Sequence, residues 1–246
     1  MAGHSKWANI KHRKGRQDAK RGKLFAKLTK GIEAAARAGG GDPAANPTLA
    51  TAIQKAKDAS VPKDNIDRAI ARGTGEGDGV AYEVAWYEGY GPGGVALYVE
   101  ILTDNRNRAA ADVRSTFTKH GVSLGEPGSV GYLFEQRGYL LVTGDEETVM
   151  LAAIEGGADD VEPSGNQWEI TGQPSDLAAI RGSLEDAGIQ IDHGEVTQLP
   201  TTTIPVNEAT APKILRLVDA LEDLDDVQAV YANFDIPDEV LVSLDA

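Results

Sequence analysis

Lys6, Lys11, Arg13, Lys14 and Arg16, followed by Lys20, Arg21, Lys23, Lys27 and Lys30, put ten positive charges into the first thirty residues, against a single acid, Asp18. Cations at this density repel one another unless a counter-charge neutralises them, and the polyanion that suits an extended basic track is a nucleic-acid backbone. Trp7 and His12 lie among them, flat rings able to stack on unpaired bases. On a helix, Lys20, Lys23, Lys27 and Lys30 fall within about 80° of arc, while Leu24, Leu28, Ile32 and Ala35 centre on another face. One face packs and the other is positive.

Two further groups could meet phosphate or base. Asn65, Arg68 and Arg72 share a helix face beside Ile66, Ala69 and Ile70, the layout of a major-groove recognition helix. In TDNRNR, residues 103 to 108, Asp104, Asn105 or Asn107 can cap the helix that follows, and Arg106 and Arg108 stand where a phosphate meets a helix N-terminus. An ordinary polar exterior and plain capping are the alternative readings of these two groups.

No catalytic constellation emerges. The four histidines show no H-E-x-x-H spacing, and neither G-x-S-x-G nor G-x-x-x-x-G-K-[ST] occurs. Gly89 to Gly94 matches G-x-G-x-x-G, but a strand-like VALYVEIL follows where a pyrophosphate needs a helix N-terminus, so these glycines read as a tight connection. Glu100 and Asp104 are the pair a carboxylate-metal nuclease would use, an assignment weakened by the abundance of acids. The absence of cysteine removes disulfides, thiolate metal sites and a cysteine nucleophile. The expectation is a protein that is not an enzyme, with no metal and no cofactor.

Charge is divided sharply along the chain. Residues 1 to 72 carry 16 Lys and Arg against 6 Asp and Glu, whereas residues 73 to 246 carry 8 against 32, for a net charge of -14. A basic end on an acidic body orients the molecule toward RNA or DNA, with the body repelled from the phosphates. The acidic runs ALEDLDD, 220 to 226, and GADDVEP, 157 to 163, read as solvated surface. No apolar run approaches the ~20 residues of a membrane span, and no apolar h-region follows the basic start, which predicts a cytoplasmic protein with no membrane contact.

The elements that must position these residues follow from periodicity. Three helices are expected in residues 1–75: one over 22 to 38 ending at Gly39-Gly40-Gly41, one capped by Asn46-Pro47 with Leu49, Ile53 and Ala56 inward, and one from Pro62 to Gly73. GTGEGDG, 73 to 79, reads as a linker. Strand-like runs at 83 to 87 and 95 to 102, a helix over 108 to 120 and strand-like GSVGYLF at 128 to 134 then form an incomplete α/β domain of residues 80–136. Residues 200–246, a helix capped near Thr210 and the strand VQAVYANF, return to complete it. Between them, 137–199 alternates as βαββαβ, a ferredoxin-like split sheet. The fold class is therefore α+β, with an N-terminal helical bundle and one α/β domain inserted in another.

AGHSKWANIKHRK, KRGKLFAKL, GGGDPAANP, the PKDNIDRAI helix, YEGYGPGGVALYVEILTDNRNR and GSVGYLF together resemble the YebC/PmpR family, whose mitochondrial relatives are translational activators of cytochrome oxidase. The resemblance runs nearly end to end and is weakest in the acidic insertion. The chain departs from the family at Thr48-Leu49-Ala50, where a basic Arg-Leu-Arg is usual, and at the ASVP before Lys63. The resemblance implies three domains, no enzymatic activity, and a regulator of gene expression: a ribosome-associated translation factor that relieves stalling on proline-rich stretches, or a DNA-binding transcriptional regulator. The expected partners are the ribosome and ribosomal RNA, or duplex DNA, met by a monomer through Lys6, Trp7, Lys11, Arg13, Lys14, Lys20, Arg21, Lys23 and Lys27, then Asn65, Arg68, Arg72, Arg106 and Arg108.

Overall fold

A computed structural model of the chain describes residues 18–75, 81–237 and 240. The chain divides into two compact units, Met1–Phe134 with Pro200–Ala246, and Glu135–Leu199. The architecture is mixed α+β.

The first unit opens with three helices, α1 (Asp18–Gly39), α2 (Pro47–Asp58) and α3 (Lys63–Thr74). Ile32, Ala35 and Ala36 of α1 pack on Leu49, Ile53 and Ala56 of α2 and on Ile66 and Ala69 of α3. Asn46 organises their meeting. Its Oδ1 accepts from Leu49 N at 3.1 Å as an N-cap, and its amide donates to Ala35 O and Gly40 O, both at 2.9 Å, satisfying carbonyls at the end of α1. Gly73, expected to begin the linker, is instead buried in α3, where a Cβ would stand 2.5 Å from Glu33 O. Residues 76–80 of that linker lie outside the described residues. Leu24, expected to point inward, is 45% exposed, and the apolar stripe passes through the half-buried Phe25 and Leu28.

Strands β1 (Glu83–Tyr90) and β2 (Ala96–Thr103) form an antiparallel hairpin, and β8 (Val227–Ala232) pairs with the other edge of β2. The glycines between β1 and β2 make the tight connection, with Gly93 at φ 78° and Gly94 at φ 77°, and no helix N-terminus faces them. Helices α4 (Arg106–Lys119) and α7 (Ala211–Glu222) supply Val113, Phe117, Ile214, Leu217, Val218 and Leu221 to one sheet face, meeting Ala85, Leu97, Val99 and Ile101. On the opposite face Trp86 and Tyr98 stack at 4.3 Å between centroids, with Tyr231 and Phe134 beside them. A short parallel pair, β7 (Ile204–Pro205) with β9 (Phe234–Asp235), lies in the returning segment.

GSVGYLF is not a strand before Phe134. Gly128 has φ 86°, and the Glu88 carboxylate accepts from the N–H groups of Gly128, Val130 and Gly131 at 2.7 to 2.8 Å. Those donors would otherwise be offered to a neighbouring strand, so the segment is held as a loop and a short 3-10 turn.

The second unit runs β3 (Phe134–Thr143), α5 (Glu146–Glu155), β4 (Asp160–Ser164), β5 (Gln167–Gly172), α6 (Leu177–Asp186) and β6 (Gln190–Pro200). Its sheet order, β4-β5-β3-β6, is the ferredoxin-like split sheet that the alternation predicts. Leu140, Val142, Val149, Ile170, Ile180 and Leu184 fill its core. Among the described residues, no helix is long and apolar enough to cross a membrane.

Candidate nucleic-acid interface

Lys6, Trp7, Lys11, Arg13 and Lys14 lie outside the described residues. Lys20 is in the first turn of α1. Arg21, one residue on, is exposed, its guanidinium 5.2 Å from the Phe25 ring centroid, an arrangement that leaves it solvated while covering an aromatic face.

The rest of the basic face of α1 meets the turn after α7. Lys23 Nζ reaches Asp223 Oδ1 at 3.2 Å and Asp223 O at 3.4 Å, Lys27 Nζ donates to Glu222 O, and Lys30 Nζ pairs with Asp226 Oδ1 at 2.7 Å. Lysines at successive turns thus cap the carbonyls that α7 leaves unsatisfied at its C-terminus. Lys30 also stands 5.2 Å from the Tyr82 ring centroid.

Asp226 is the hub. Only 8% exposed, it accepts from Lys30, from Thr103 Oγ1 at 2.9 Å and from Arg108 at 2.8 Å. Burial pushes its carboxyl pKa up, but the hydrogen bonds from Lys30, Arg108 and Thr103 outweigh burial and hold it below the usual carboxylate range. The expectation that 220 to 226 is solvated surface is therefore wrong at Asp226, because three donors from three elements converge on it. Arg108 also pairs with Asp104 at 2.6 Å, and these bonds, that to Asp226 foremost, raise its pKa. The Arg108 bond in turn lowers that of Asp104.

Asn105, of the three candidates in TDNRNR, is the cap of α4, its side chain accepting from Arg108 N at 3.1 Å. Arg106 is exposed and 3.8 Å from Glu83. Lys23, Ala26, Lys27, Lys30, Tyr82, Asp104, Arg108, Asp225 and Asp226 surround a cavity of about 350 Å³. The structure thus brings together Lys23, Lys27 and Arg108, which the sequence suggested from separate motifs. It adds Lys30, visible on the basic face but not chosen, and Asp226, whose role no local pattern reveals.

On α3 the recognition-helix group is engaged at home. Arg68 donates to Asn65 Oδ1 and, at 3.1 Å, to Asp64 O, while Arg72 bonds Glu33 at 2.9 Å. Arg68 and Arg72 remain exposed. Of the nuclease pair, Glu100 accepts from Tyr231 Oη at 3.3 Å and Asp104 from Arg108. Among the described residues, no three His, Asp or Glu side chains cluster as a metal site would require.

Family models match both parts of the chain: the TACO1/YebC N-terminal domain over residues 5–76, and the TACO1/YebC second and third domain over residues 82–234. The chain belongs to the TACO1/YebC family. It is 57% identical to a probable transcriptional regulatory protein of Rubrobacter xylanophilus, over 99% of each chain. It is also 57% identical to one of Beutenbergia cavernae, over 100% of this chain and 99% of that one. A solved structure, a conserved hypothetical protein from Aquifex aeolicus, is 48% identical with a TM-score of 0.81, covering 91% of this chain and 94% of its own. The two TACO1/YebC models adjoin between the end of α3 and the start of β1, and the basic face of α1 falls within the first.

Proposed function

We propose that this chain is a non-enzymatic, cytoplasmic regulator of gene expression that acts as a ribosome-associated translation factor, gripping ribosomal RNA with its basic arm and α1 and relieving stalling on proline-rich stretches. The observation that carries the reading is the continuity of positive charge from the arm onto α1, in a chain whose inserted unit holds 14 acids against 2 arginines. The inserted unit is repelled by phosphate, so contact with nucleic acid is confined to the basic end. A lysine-rich arm interleaved with Trp7 and His12 suits irregular RNA, whose unpaired bases can stack. Membership of the family adds regulation of gene expression, and the stalling role comes from the family resemblance.

A DNA-binding transcriptional regulator is the second reading, favoured by the names of the curated relatives and by the exposure of Arg68 and Arg72 on α3. Against it, Arg68 and Asn65 bond each other and Arg72 bonds Glu33, so reading bases requires breaking those contacts.

Co-sedimentation with ribosomes and subunits over a salt series, with a promoter-length duplex as competitor, separates the two. Salt-sensitive association that the duplex does not displace, and that Lys11→Glu/Lys14→Glu/Lys20→Glu abolishes without changing the circular dichroism spectrum, is expected. Tight binding to a defined duplex site with no ribosome association would reverse the order.

A further inference from the structure

Two helix ends in the first unit carry the wrong charge for their own dipoles. Helix α4 begins with Arg106 and Arg108 at its positive end, and α7 finishes with Glu222 and Asp223 at its negative end. Each arrangement is unfavourable within its helix and is relieved only from outside. For α7 the relief is Lys23 and Lys27 of α1; for α4 it is Asp104 and Asp226. A helix N-terminus bearing arginines, with a row of lysines opposite and a cavity of about 350 Å³ between them, is how proteins hold phosphate.

We propose that the cleft lined by Lys23, Lys27, Lys30 and Arg108 is a phosphate-binding site for single-stranded RNA, filled in this conformation by the chain's own Asp223, Asp225 and Asp226. The proposal rests on the RNA-binding reading above and adds to it a second contact surface, Lys30 as a residue of that surface, and an internal competitor. The three acids play unequal parts. Asp226, with three donors and little exposure, is a fixed part of the wall. Asp223 and Asp225 are exposed, and in the Lys23–Asp223 pair both side chains are more than half exposed, a contact that water and salt weaken to near nothing. Lysine Nζ groups held by such partners exchange readily onto a stronger anion. The site continues the basic track along α1, so a strand seated on the arm reaches it without leaving the helix. The acids on the turn lower the affinity for any passing polyanion, so that only an RNA already engaged by the arm, and therefore at high local concentration, displaces them.

The test is fluorescence anisotropy with a labelled 20-nucleotide oligouridylate over a salt series, using the full chain, Asp223→Asn/Asp225→Asn, and the charge-matched Glu146→Gln/Glu147→Gln in the other unit. Circular dichroism confirms that each variant is folded. The turn variant is expected to bind several-fold more tightly, with a salt slope steeper by about 0.7 for each lysine freed. Adding Lys30→Ala to it should remove a large part of the gain, and the Glu146/Glu147 control should show little gain. Binding by the parent chain with no gain in the turn variant, or an equal gain in the control, overturns the proposal and leaves the RNA reading standing. No binding of the oligonucleotide or of ribosomes by any of these proteins overturns both.

Discussion

Replacing Asn46 by aspartate separates two roles that one side chain performs. As an N-cap, Asp ranks with Asn, so if capping Leu49 N were its whole contribution, Asn46→Asp would change stability by only a few tenths of a kcal/mol. The structure demands more. The Nδ2 amide, on a residue only 5% exposed, donates to Ala35 O and Gly40 O. A carboxylate keeps the cap, loses both donors and sets negative charge against two carbonyl oxygens. Each lost bond costs about 1 kcal/mol, and more where the carbonyl stays buried and unpaired. Asn46→Asp should therefore destabilise the helical part by about 3 kcal/mol or more, and Asn46→Ala by about 3 kcal/mol, from loss of the cap as well as of both donors. The assay is hydrogen exchange by mass spectrometry on peptides spanning α1 to α3, which reads local opening without assuming that the whole chain unfolds together. Lowering the pH should restore part of the Asp variant's stability as its carboxyl regains a donor proton. An Asn46→Asp variant within about 0.5 kcal/mol of the parent would refute the reasoning.

Two further outcomes are expected. Because the folded carboxyl of Asp226 titrates below its unfolded range, its contribution to the docking of α1 is complete above the unfolded value of about 4 and is lost as pH falls through the folded value. Amide exchange in α1 and in the 222 to 226 turn should therefore quicken together below about pH 4, and Asp226→Asn should flatten that step. Glu88→Ala leaves three backbone donors of the 128 to 131 loop without their acceptor and should make that loop the first site of limited proteolysis, while Glu88→Gln, which keeps one oxygen, should fall between.

Local chemistry was legible in the sequence wherever partners are near in the chain. Asn46-Pro47 announces α2 because a cap and its amide are three residues apart, and the alternation over 137 to 199 gives the split sheet because each strand and helix carries its own period. The failures have the opposite character. GSVGYLF has strand-forming residues, but its amides are claimed by Glu88, some forty residues earlier. Asp226 sits in a run of acids that composition assigns to solvent, yet it lies 196 residues from Lys30 and 118 from Arg108, and only the fold brings them together. The candidate interface was therefore half visible: its cations could be read from spacing, its internal anions could not.

The inserted unit leaves and rejoins the first unit at a single neck. Strands β3 and β6, its first and last, are neighbours in one sheet, and just outside them Thr201 N donates to Leu133 O at 2.8 Å. For the first unit, Glu135–Leu199 is thus a loop whose ends are already tied, and closure entropy grows so slowly with length, about 0.6 kcal/mol per doubling, that what hangs beyond the tie is scarcely felt. Evolution is consequently free to lengthen, shorten or recharge this insertion with little penalty to the fold that carries it, while the basic helix and the turn that faces it must change together.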